Sequence, residues 1–137
     1  MSVRIYVPAS MSALAQFAED GGIGPSPVRA HAVTAWLRES WPDGDDEGWE
    51  YAALMVAAGD SVAGLTHEDP PRRVVIVAEV ESVSEDTEST EVIVNSAIGM
   101  RLVQALHADS TDVDPSVPEG LGDLGWFGVQ EIPDLLA

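Results

Sequence analysis

The chain has 137 residues, 45% of them apolar, which is one domain's worth of globular core. Its charges are lopsided, with 24 acidic residues against 6 basic ones and a formal net charge of −18. All six basic residues are arginines and cysteine is absent, which excludes Schiff-base and P-loop lysines, thiolate nucleophiles, disulfides, iron–sulfur clusters and cysteine-ligated zinc.

The first predicted element is a strand over 3–8, where Arg4-Ile5-Tyr6-Val7 alternates and Pro8 closes the run. Ser10 then suits the N-cap of a helix whose apolar positions Met11, Leu14, Phe17 and Ala18 repeat at helical spacing, with Gly21-Gly22 as its stop. A short strand is expected over 28–35, and Thr34 caps a turn or two of helix over 36–41 that Pro42 ends. The strongest helix covers roughly 46–66. Tyr51, Leu54, Met55, Ala58, Val62 and Leu65 form its apolar stripe, and Asp45, Asp46 and Glu47 lie at the positive end of its dipole.

Arg72–Ser82 is the clearest strand, and its unbroken Val74–Ala78 run is the pattern of a strand covered on both faces. Glu91–Ile98 reads as a second strand and its hairpin partner across an exposed acidic turn. Residues 99–109 fit either strand or helix, with strand preferred. An acidic, Pro- and Gly-rich loop over 110–125 leads to a last short strand over 124–130 and a helical tail over 132–137. This order predicts a single α+β domain over 1–137, in which two main helices pack on one face of a mixed or largely antiparallel sheet. Residues 110–137 are the segment that could extend from it as an arm.

No motif carries recognisable chemistry. Asp43-x-Asp45-x-Glu47-Gly48 begins like a calcium loop, but Leu54 stands where the bidentate glutamate is needed, so an acidic helix cap is expected. Gly59-Asp60-Ser61 begins like a nucleophile elbow, yet Ser61 falls in mid-helix and Ala63 replaces the closing glycine. The acidic cluster of Asp109, Asp112, Asp114, Glu119 and Asp123 has no ligand spacing, and His31, His67 and His107 are too far apart for a local motif. No catalytic residue, metal ligand or cofactor is assigned. A net charge of −18 argues against nucleic acid. No apolar run is long enough for a membrane span and no signal peptide is visible, so a soluble, cytoplasmic protein is expected.

The aromatics single out the remaining candidates. Trp126-Phe127, between Gly125 and Gly128 and followed by Gln130-Glu131, either docks on the protein's own sheet or anchors in a second subunit or protein partner. Tyr6, Arg4 and Arg73 on neighbouring strands, with Glu50 or Tyr51 from the long helix, are placed to converge on a pocket. The expected function is therefore a non-enzymatic, self-associating binding module, with Trp126, Phe127, Glu131, Tyr6, Arg73 and Tyr51 as interface or pocket residues. The alternative is a small hydrolase or isomerase that uses carboxylates with histidine or tyrosine on an anionic small molecule.

Several stretches together resemble an actinobacterial family of small acidic proteins known only as a domain of unknown function. They are Arg4-Ile5-Tyr6-Val7-Pro8-Ala9-Ser10, Ala32-Val33-Thr34, Glu50-Tyr51-Ala52-Ala53-Leu54, Pro71-Arg72-Arg73-Val74-Val75 and Trp126-Phe127 with Gln130-Glu131. The resemblance implies a bacterial, intracellular, single-domain protein and a GC-rich origin for the missing lysines. It implies no activity.

Overall fold

The computed structural model describes residues 2–117 and 121–137. At its centre lies β1 (Val3–Ala9), which pairs antiparallel with β3 (Val28–His31) on one side and β4 (Val74–Val80) on the other. The sheet continues past β3 to β6 (Glu91–Val94) and β5 (Ser84–Glu85), and past β4 to β8 (Val103–Ala108) and β9 (Gly125–Phe127). All these pairings are antiparallel. A separate ribbon joins β2 (Gly22–Ile23) to β7 (Ile98–Gly99). The class is α+β, as the order of elements implied.

The helices begin where their caps dictate. In α1 (Met11–Asp20) the Ser10 hydroxyl accepts from Ala13 N at 3.0 Å, and Gly21 ends the helix at φ 79°, a conformation that favours glycine. Thr34 caps α2 (Ala35–Ser40), and Asp45 caps α3 (Asp46–Ala63) by accepting from Gly48 N at 2.8 Å. The cap is therefore the role of the Asp45 carboxylate. A last short helix, α4, covers Ile132–Leu136.

The expectation that both main helices share a face needs correction. Neighbouring strand residues point to opposite faces, so β1 sends Ile5 and Val7 one way and Tyr6 the other. Met11 and Leu14 of α1 pack with Ile5, Val7, Val74, Ile76 and Ala78, together with Ile132 from α4. Ala53, Leu54, Ala57 and Ala58 of α3 pack with Tyr6, Val75 and Val77 on the other side. The physical reason lies in β4. Residues Val74 to Ala78 are each at most 4% exposed, and a strand apolar on both sides demands a layer on each. Fully burying Ile5, Ile76 or Leu106 stabilises the fold by about 1.5–3 kcal/mol apiece.

A second correction concerns Glu91–Ile98. Because β1 and β8 occupy both edges of β4, the strand at Glu91–Val94 pairs with β3 and with the two-residue β5 instead. Residues 99–109 resolve as a 3-10 turn over Met100–Leu102 followed by β8.

Two polar devices tie the layers together. Ser61, in mid-helix and 3% exposed, donates to Ala9 O at 2.6 Å and accepts from Val74 N at 2.9 Å, so one hydroxyl joins α3 to the end of β1 and the start of β4. His31, equally buried, bonds Thr90 Oγ1 at 2.8 Å through Nδ1 and Asp60 Oδ2 at 2.5 Å through Nε2.

Candidate functional site: a polar and aromatic cleft beneath the long helix

The layer of α3 does not cover its whole face of the sheet. Towards β8 and β9 it leaves an open cleft of about 330 Å³, at the small end of ligand-sized pockets. Val77 and Ala105, partners across the β4–β8 ladder, lie beneath it. Small side chains at both positions keep the floor low. Arg4 and Tyr6, two residues apart on β1, stand on one side. His107 and Trp126, facing each other across the β8–β9 ladder, stand on the other. Glu50, Tyr51 and Leu54 come from one side of α3. Gln104 enters at the irregularity in register between β4 and β8, where Ala78 pairs with Val103 while Val77 pairs with Ala105.

The electrostatics of the cleft follow from burial and from one cation. The Tyr6 residue is 4% exposed, and that burial raises its phenol above the usual 10.0. The Glu50 carboxylate raises it further, whereas the Arg4 guanidinium, by charge and hydrogen bonding, pulls it back down. Burial also holds the His107 imidazole below its usual 6.5, and the positive charge of Arg4 acts in the same direction. At neutral pH the cleft thus presents a protonated phenol beside a neutral imidazole, with Tyr51 and Trp126 exposed at the mouth.

The trough does not end at Tyr6. A second cavity of about 590 Å³ shares Arg4, Tyr6 and Glu50 with the first and continues along Asp46, Glu79, Glu85 and Arg38. Glu79 lies directly across the ladder from Arg4. Arg38 stacks over the Trp49 ring at 5.8 Å, and Glu85 accepts from Ala35 N at 3.0 Å.

Of the residues singled out in the sequence, the structure brings Tyr6, Tyr51 and Trp126 together, along with Arg4 and Glu50. It places the other three elsewhere. Arg73, 4% exposed, is locked by Nε and Nη2 onto Asp109 at 2.9 and 2.8 Å and donates to Gly122 O at 2.5 Å. Phe127 turns to the opposite face of the sheet from Trp126 and packs against the α1 core. Glu131 accepts from Gly128 N at 2.6 Å and closes the 3-10 turn Val129–Glu131. The segment from Gly125 onward runs along the protein's own sheet and core. Gln104 is not among the site candidates of the sequence, and His107 appears there only as one of three histidines without a local motif. Gln104 and His107 are three residues apart and would face opposite sides of a regular strand, so they share the cleft only through the irregularity between β4 and β8, which the sequence does not mark.

Fold and cleft together define a small three-layer α+β protein, helical on both faces, with one polar and aromatic trough left open on the α3 side. Residues 3–136 match the family described as a family of unknown function (DUF6912), and the chain belongs to that family. No curated protein and no solved structure matches the chain. Among the described residues, no helix is long and apolar enough to cross a membrane.

Proposed function

We propose that the chain is a non-enzymatic binding module whose working part is the cleft between α3 and the β8–β9 edge. The observation that supports this reading is convergence. Arg4 and Tyr6, Glu50 and Tyr51, Gln104 and His107, and Trp126 come from four separate elements and meet over an apolar floor. A core does not require that arrangement, since Tyr51 and Trp126 are 57% and 62% exposed and contribute little to packing. Thermal-shift screening of small molecules tests it. Binders should raise the melting temperature of the wild type, and Tyr6→Phe and Trp126→Ala should lose the effect while remaining folded. A screen whose hits are indifferent to both substitutions refutes the cleft as the site.

Self-association belongs to the same reading. Trp126, Tyr51 and Met55 are large apolar side chains left in solvent, and such residues dominate protein interfaces. Sedimentation of the wild type beside Trp126→Ala tests this part; a monomer in both cases removes it. The resemblance to an actinobacterial family and the lysine-free composition support a cytoplasmic protein of actinobacterial origin, and the charge of −18 supports partners other than nucleic acid.

One observation favours a second reading, a small hydrolase or isomerase. A neutral His107 is a competent base at neutral pH, and a protonated Tyr6 is a competent donor in the same cleft. Catalysis requires wild-type turnover of ester or phosphoester model substrates to exceed that of His107→Gln by orders of magnitude. Equal rates leave binding alone.

A further inference from the structure

The two cavities on the α3 face share three side chains, so they form one trough, and its charge sets the sign of what it holds. We infer that the trough takes a small organic cation, an amine or guanidinium whose charged end lies among Glu50, Glu79 and Asp46 and whose apolar end lies beneath Trp126. This deepens the binding reading above and rests on it.

The second cavity carries four carboxylates, Asp46, Glu50, Glu79 and Glu85, against two arginines. The two arginines are outnumbered two to one by these carboxylates. Arg4 has Glu79 opposite it in the ladder and Glu50 across the trough, and Arg38 lies over Trp49. Glu85 is already bonded to Ala35 N, which leaves Asp46, Glu50 and Glu79 to meet a ligand. The field of the whole chain, at −18, draws cations in and repels anions. The aromatic end is consistent with this sign. The faces of Trp126 and Tyr51 attract cations as well as apolar groups, and Val77 and Ala105 give a hydrocarbon segment a floor. The buried Tyr6 stands between the two halves, where its hydroxyl can accept from an ammonium or guanidinium. The site is a concave trough within the size range of small-molecule pockets, which suits a free molecule better than a folded partner's surface.

The test titrates the full chain by calorimetry with agmatine and with a matched pair of opposite charge, tryptamine and indole-3-acetate. Salt is held at about 0.15 M, where diffuse attraction is screened beyond about 8 Å. The expected result is one-to-one binding of an amine, about tenfold or more tighter than indole-3-acetate. The double variant Glu50→Gln/Glu79→Gln should lose about tenfold in affinity, whereas Glu19→Gln/Asp134→Asn, with the same change in net charge on exposed residues outside the trough, should stay within about twofold. Equal losses in both double variants mean general charge attraction and overturn the inference. If the trough variant fails to fold, the wild-type contrast between tryptamine and indole-3-acetate decides alone. Binding of indole-3-acetate in preference, lost in Trp126→Ala, overturns the cation and leaves the cleft standing. Binding of none of the probes overturns both.

Discussion

Replacing Asp109 by alanine tests the energetics of the fold most sharply. Asp109 and Arg73 have side chains only 6% and 5% exposed, and the pair is bidentate at 2.8 and 2.9 Å. Asp109 Oδ2 also accepts from Arg73 N at 2.8 Å, and the Asp109 amide returns a bond to Arg73 O at 3.1 Å. Asp109→Ala leaves a guanidinium in the interior with Gly122 O as its remaining partner among the described residues, so the loss is dominated by the stranded charge and amounts to about 3–5 kcal/mol. A domain of this size has about 5–15 kcal/mol in total, and the melting temperature should fall by about 10–20 °C. Arg72 and Asp112, bonded at 2.9 Å nearby, provide the control. Asp112 is 64% exposed, so Asp112→Ala should cost about 0–1 kcal/mol. Urea denaturation followed by circular dichroism measures both. The double variant Arg73→Met/Asp109→Leu should recover most of the loss, because it removes both charges. A cost below about 1 kcal/mol for Asp109→Ala, or no recovery in the double variant, refutes the reasoning.

Other outcomes follow from the same geometry. Ser61→Ala strands Ala9 O and Val74 N at once and should cost about 1–3 kcal/mol in the same denaturation assay. Trp126→Ala should shift stability by no more than about 0.5 kcal/mol, because the ring is 62% exposed. The folded His107 has a depressed pKa, so the unfolded chain binds its proton first as pH falls. Its contribution is therefore intact above 6.5 and lost between 6.5 and the lower folded value, and His107→Gln should flatten that part of the stability profile. For Tyr6 the folded pKa is raised, so the loss comes on the alkaline side, as pH rises from 10.0 towards the folded value. Phenolate absorbance should show one tyrosine titrating late, and Tyr6→Phe should abolish it.

Local chemistry was largely legible from the sequence. Ser10, Thr34 and Asp45 cap where capping preferences put them, and Gly21 stops α1, because these signals act within one turn of chain. Layering was misjudged although its evidence was present. Val74–Ala78 is apolar at every position, which already requires cover on both faces, and two helices on one face cannot provide it. Strand pairing was harder still, since Glu91–Val94 could choose β3 over β4 only because β8 held the other edge, a fact about residues ten positions further on. The cleft was half visible. Tyr6, Tyr51 and Trp126 stood out by type, while Arg73, the most suggestive cation beside them, is consumed by Asp109 across 36 residues of chain.

The sheet ends on one side in the two residues of β5 and on the other in the three of β9. Stubs of that length give an incoming backbone almost no ladder to extend, which is how natural sheets avoid stacking edge to edge into fibres. A concentrated solution of such molecules would stay dispersed, and when two copies do meet they must be joined by side chains across their faces.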